Sequence, residues 1–215
     1  MSASGHNRPS GFRLVVAAAS LGGLPAYTAV LSRLPAEFPV PLVLVQHGKD
    51  PSDPERMIRL LRKRTPLPVG AAQPGCLPDR PGVTVVPKGM AATIEQDGSI
   101  ELAPSDGFSG ADTLFRSAAA AYGAGVVAVV LTGMGRDGRE GVRAIKRHGG
   151  RVIVQDPESA AAAGMPSAAV VTGCVDFVLP LPRIATALIA LTMAPGGAQL
   201  LTVSTPAWAQ LAPAR

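Results

Sequence analysis

The sequence is poor in aromatic residues, in charge, in cysteine and in histidine, and each shortage excludes something. Aromatics are 4% of 215 residues, so the core must be built from Ala, Val, Leu and Ile. A basic excess without interleaved aromatic rings offers no stacking platform, which argues against a nucleic-acid partner. Lys+Arg 20 against Asp+Glu 15 leaves only +5, a mild attraction for an acidic surface. Cys76 and Cys174 stand at no ligand spacing, and with three histidines they are too few for a zinc cluster or a disulfide framework. Charged residues at 16% beside 47% hydrophobic ones exclude intrinsic disorder.

Charge is missing altogether from residues 14–32, a stretch that a hydropathy scan reads as a signal peptide or a membrane span. Gly22, Gly23 and Pro25 break it in the middle. It reads better as a buried strand over 12–18, a sharp turn at Ser20-Leu21-Gly22-Gly23, and a helix beginning near Leu24 with Pro25 in its first turn. No membrane insertion is expected.

What is abundant is punctuation: 24 glycines and 21 prolines predict many short elements joined by tight turns. Apolar runs at 41–46, 83–87, 126–131, 152–155 and 176–179 read as strands. Helices are expected over 54–64, 111–122, 137–148, after Pro166, and over 183–193. Runs at 91–96 and 99–103 joined by Asp97-Gly98 form a hairpin. Strands apolar on both faces and separated by helices imply an α/β fold: a doubly wound, mostly parallel sheet with helices on both faces and a small antiparallel hairpin. Residues 1–11 and 195–215 read as tails around a domain over 12–194, with Trp208 able to anchor the second tail.

In a doubly wound sheet the site forms at the carboxyl ends of strands. Ser20, His47 and Asp137 all fall at such ends. Ser20 suits a nucleophile on a strand-to-helix turn, and on the motif alone suits a helix N-cap better. His47 is the one histidine at a strand end, since His6 lies in the tail and His148 in the last turn of a helix; it is the candidate general base. Asp137 suits the group that orients a base, and again an N-cap. Arg62-Lys63-Arg64 reads as a solvated helix end, or as cations that steer an acidic partner. The loop Gly133-Met134-Gly135-Arg136-Asp137-Gly138 is formally a GxGxxG, with Asp156 where a ribose-binding acid would stand. Against a dinucleotide site, the motif comes late in the chain, sets an acid where pyrophosphate would approach, and leaves Ser20 and His47 unexplained.

Five ordered segments carry a resemblance: Ala19-Ser20-Leu21-Gly22-Gly23; Val45-Gln46-His47; Arg80-Pro81-Gly82-Val83 through Pro87-Lys88-Gly89; Leu131-Thr132-Gly133-Met134-Gly135-Arg136-Asp137-Gly138; and Gln155-Asp156 with Gly164-Met165-Pro166. Together, over about residues 12–193, the chain resembles the catalytic domain of bacterial chemotaxis protein-glutamate methylesterases, the CheB-type methylesterase domain. The resemblance implies a cytoplasmic serine hydrolase without a cofactor or metal. It would remove methyl esters from glutamate side chains on the cytoplasmic helices of chemoreceptors, and deamidate particular glutamines. It implies Ser20 as nucleophile, His47 as base and Asp137 as orienting group, with the backbone N–H of Met134 meeting the oxyanion; the Leu21 N–H is a second donor by the rule that the residue after the nucleophile contributes its amide.

Two departures stand out. Leu21 replaces the threonine usual in the family, and the segment 104–111 is shorter than usual, which removes part of the substrate rim. Residues before the first strand are too few for the receiver domain of well-known members, so either control by a separate partner such as a response regulator or constitutive activity is expected. A binding domain for receptor helices that lacks turnover is the alternative in another class.

Overall fold

A computed structural model describes residues 11–47, 55–78, 80–105, 109–194 and 196–197. The expectations for the tails, including Trp208, fall outside them. The first half of the main sheet comprises β1 (Leu14–Ala19), α1 (Gly23–Leu31), β2 (Leu42–Gln46), α2 (Arg56–Arg62), β3 (Val69–Ala71) and β4 (Val83–Val85). A hairpin follows, β5 (Met90–Ile94) and β6 (Ile100–Pro104). The second half comprises α3 (Gly110–Tyr122), β7 (Val126–Val130), α4 (Arg139–Arg147), β8 (Arg151–Gln155), α5 (Gly164–Val170), β9 (Phe177–Leu179) and α6 (Leu181–Met193).

Seven strands form one parallel sheet in the order β3-β4-β2-β1-β7-β8-β9. The hairpin is a separate antiparallel sheet rather than an extension of it, turning at Asp97-Gly98, where Gly98 has φ +90°. The α/β expectation therefore holds. One strand was not anticipated: β3 is a three-residue edge strand, Val-Gly-Ala, too short and too weakly apolar to announce itself. Arg62 ties it down by donating from Nε to the Val69 carbonyl at 2.8 Å, so this cation of the basic run is structural rather than simply solvated.

The sheet is buried on both faces because its strands alternate between two cores. Val15, Ala17 and Ala19 of β1 face one core with Leu42 and Leu44 of β2 and Val127 and Val129 of β7, roofed by α1, α2 and α6. Leu14, Val16 and Ala18 face the other with Val43, Val45, Ala128 and Val130, roofed by α3, α4 and α5. Tyr27 of α1 is fully buried and donates its hydroxyl to the Val45 carbonyl at 2.7 Å, with the Ala17 carbonyl 3.1 Å away. Burial pushes its phenol well above the ordinary value, so it stays a donor at every physiological pH. That bond fixes β1 and β2 near their carboxyl ends, where the polar candidates stand.

Candidate active site

β1 leads from the middle of the sheet, with β2 on one side and β7 on the other, and the crossovers depart in opposite directions at this point. In open α/β sheets this point, at the carboxyl edge, is where a ligand crevice forms. The register continues past the strand ends: the His47 N–H donates to the Ala19 carbonyl at 2.9 Å, and the Ser20 N–H to the Thr132 carbonyl at 3.0 Å. Ser20 and His47 therefore sit side by side, and by alternation from Ala18 and Val45 both belong to the face covered by α3 and α4.

His47 and Asp137 are joined directly. Nε2 of the ring lies 2.6 Å from Oδ2 of Asp137, with the two side chains 12% and 5% exposed. Gly110, the first residue of α3, makes room for the ring, since a Cβ there would lie 3.1 Å from Nε2. The sequence offered no signal for Gly110 beyond a small residue at a helix start. With Nε2 committed to the carboxylate, Nδ1 is the ring nitrogen left to take a proton.

Asp137 does cap a helix, but not its own. The N-cap of α4 is Gly138 at φ +92°, without a side-chain cap bond. The Asp137 carboxylate instead accepts from the first turn of α3, from the Ala111 N–H at 2.8 Å and the Asp112 N–H at 2.9 Å, and also from the Gly138 N–H at 2.8 Å. Burial alone would raise its pKa, but contact with His47 and the two α3 amides together outweigh it and hold the carboxyl below its ordinary value. The group is an anion at neutral pH, held in place by three backbone amides and the ring it touches.

The capping reading of Ser20 fails in the same way. α1 is capped by Gly22 at φ +79°, with no side-chain cap bond, and the turn closes instead through the Gly23 N–H to the Ser20 carbonyl at 2.9 Å. Only glycine fits at 22: besides the left-handed backbone, a Cβ would lie 2.8 Å from that of Ala161. The Ser20 hydroxyl therefore has no capping duty. It makes no hydrogen bond to the His47 ring in this structure, so of the three polar candidates the histidine and aspartate are in contact and the serine stands beside them.

Leu21, which follows Ser20, and Met134, in the loop after β7, are 57% and 68% exposed. Among the described residues neither backbone N–H donates to an internal acceptor. Both are therefore available to an anionic oxygen. The GxGxxG geometry does not suit a pyrophosphate. The Gly133 N–H donates to the Ala162 carbonyl at 2.9 Å and the Gly138 N–H to Asp137, whose anion occupies the helix start that a phosphate would need. The nucleotide-binding position after β1 is filled by the Ser20 turn instead. Among the described residues no group of three or more His, Cys, Asp or Glu is placed to hold a metal ion.

The chain is similar to known proteins in sequence and in fold. A family model described as CheB methylesterase matches residues 15–188. The chain belongs to the CheB methylesterase family. It is 44% identical over 181 residues to a protein-glutamate methylesterase/protein-glutamine glutaminase of Anaeromyxobacter dehalogenans, covering 82% of this chain and 53% of that one. A namesake from Nitrosospira multiformis is 40% identical over 186 residues, covering 85% and 52%. The chain thus spans about half the length of the curated relatives it matches. The crystal structure of the Thermotoga maritima CheB methylesterase catalytic domain superposes with a TM-score of 0.75 at 31% identity, covering 84% of this chain and 98% of that one. The CheB fold and the sheet described above are the same α/β architecture. No helix among the described residues is long and apolar enough to cross a membrane.

Proposed function

We propose that this CheB-family chain is a serine hydrolase that removes methyl esters from glutamate side chains of chemoreceptors, with deamidation of glutamine as a second reaction. The observation that carries the reading is the His47–Asp137 contact at 2.6 Å beside Ser20 on the neighbouring strand end. Ser20 attacks the ester carbonyl while Nδ1 of His47 takes its proton; Asp137 holds the Nε2–H and stabilises the imidazolium. The N–H groups of Met134 and Leu21 receive the oxyanion. The protonated ring then returns its proton to the departing methoxide, and water repeats the cycle to free the carboxylate.

The partners on this reading are the methylated cytoplasmic helices of receptors and a response regulator on a separate polypeptide, and the place of work is the cytoplasm. The relatives' names support the reaction class. One observation favours the rival reading of a receptor-binding domain without turnover: the Ser20 hydroxyl is not bonded to His47. Catalytic hydrogen bonds are commonly long before substrate arrives.

Methanol release from methylated receptor membranes tests both. Release by the purified protein that vanishes in Ser20→Ala supports the hydrolase; an inert wild type, or an active Ser20→Ala, overturns it.

A further inference from the structure

Thr132 has no part in the chemistry described so far, yet the two loops that carry the oxyanion donors meet on it. It is the second residue beyond β7 and is 1% exposed. Its carbonyl accepts the Ser20 N–H at 3.0 Å, and its hydroxyl donates to the Leu21 carbonyl at 2.9 Å. The same oxygen accepts the Ala162 N–H at 2.9 Å, and the Gly133 N–H returns to the Ala162 carbonyl at 2.9 Å. Its own N–H donates to Oε1 of Gln155 at 2.9 Å, and Nε2 of Gln155 donates to the Ser159 carbonyl at 3.1 Å.

Three segments therefore interlock around one side chain: the turn 20–23, the loop 132–135 and the stretch 159–164. The fit leaves no slack. A Cβ at Gly22 would lie 3.2 Å from Cγ2 of Thr132, and one at Gly164 would lie 2.8 Å from the Gly135 nitrogen. The Leu21 and Met134 amides hang on opposite sides of this junction, one residue from the Ser20 that Thr132 bonds on one side and two residues from Thr132 itself on the other. A donor pair works only if its separation is set before charge develops, because reorganisation at the moment of reaction forfeits the gain.

We propose that Thr132, itself oriented by Gln155, is a positioning residue that sets the spacing of the Leu21 and Met134 amides about the Ser20 oxyanion. The inference rests on the hydrolase reading above. It predicts an effect confined to the transition state: loss of the hydroxyl slows turnover without weakening substrate binding.

The test is steady-state kinetics on a peptide glutamyl γ-methyl ester, together with affinity for an alkylboronic acid, whose adduct on Ser20 places an oxygen between the donors. In Thr132→Val, kcat is expected to fall about tenfold to a hundredfold with KM within twofold, and boronate affinity to fall in parallel. Thr132→Ser, which keeps both hydroxyl bonds, is expected to restore most of the rate. Gln155→Met, which deletes the acceptor for the Thr132 N–H, should show the same kcat-only loss. A folded Thr132→Val or Gln155→Met with wild-type kcat, or with a change in KM alone, overturns the proposal.

Amide exchange on the wild type covers the case in which neither variant folds. The boronic acid should slow exchange at Leu21, Met134 and Ala162 together, and protection confined to one loop overturns the proposal. An inert wild type is a different outcome, which sinks the hydrolase reading itself.

Discussion

Asp137 and Asp112 exchange helix caps. Asp137, which stands just before α4, accepts from the first-turn amides of α3, while Asp112 of α3 accepts the Gly141 N–H in the first turn of α4 at 2.6 Å. Two positive helix ends thus converge on two carboxylates, and the aspartate that holds His47 is at the same time a strut between helices. Structural and proposed catalytic duties coincide in one side chain, which makes them separable only by choosing the substitution.

Asp137→Ala should cost about 1–3 kcal/mol of stability through the orphaned amides and at least about a hundredfold in kcat. Asp137→Asn keeps one acceptor oxygen and should recover part of the stability but little of the rate. Urea unfolding set beside kcat checks this; parallel recovery of both quantities contradicts it.

The two aspartates should respond to acid with opposite signs. Asp137 has a folded pKa lowered from 3.8, so its stabilisation is complete above that value and is lost as pH falls through the lower folded one. For Asp112, burial dominates and, helped by the Asp137 charge, outweighs the bond from Gly141, raising its folded pKa. Its ionised form therefore costs stability at neutral pH, and the cost disappears as pH falls from the raised value through 3.8. Asp112→Asn retains an acceptor for Gly141 and is expected to raise the denaturation midpoint at pH 7, with the gain fading by about pH 3.5. A gain independent of pH counts against the assignment.

Gly133 has no room for a side chain. A Cβ there would run into Sδ of Met165 and approach Cβ of Ser20 to 3.0 Å. Gly133→Ala should destabilise by about 1–3 kcal/mol and displace the nucleophile. Met165→Ala made in the same chain should relieve the clash. A double-mutant cycle in thermal unfolding reads the coupling, and strict additivity of the two changes would show that the contact is not what excludes the methyl.

Lys146 of α4 and Asp176 form a buried pair, Nζ to Oδ1 at 2.7 Å, with side chains 3% and 0% exposed. The other carboxylate oxygen accepts the Val152 N–H at 2.7 Å, near the amino end of β8 and so away from the crevice. Lys146→Met strands a buried charge and should cost about 3–5 kcal/mol. Lys146→Met with Asp176→Asn should recover much of that. Neither change is expected to alter kcat/KM of the protein that remains folded, and a rate change without unfolding would reveal coupling across the sheet.

The legible parts of the fold were those written in local pattern. Runs such as Val126-Val127-Ala128-Val129-Val130 could only be buried strands, and Asp97-Gly98 could only be a hairpin turn. β3 was invisible because Val69-Gly70-Ala71 is a strand only by virtue of its neighbour β4. α5 begins at Gly164 rather than after Pro166, since proline is accepted in a first turn. At the site, strand-end placement singled out His47 and Asp137, which the structure places in contact. The helix-capping alternatives for Ser20 and Asp137 misplaced the caps, because left-handed glycines, Gly22 and Gly138, took those positions. Thr132, Gln155 and Gly110 were not anticipated as site residues, for their partners lie on other strands and helices and leave no mark on local spacing.

The two cores on opposite faces of the sheet have a practical consequence. Every group assigned to the reaction lies at the carboxyl edge or on the side of α3 and α4, so the outer surface of α6 behind the sheet is free of chemical duty. Exposed positions there, Arg183 and Thr186, are natural handles for tethering or a fluorophore. A chain anchored by that back wall would present its crevice outward, toward whatever surface carries the ester.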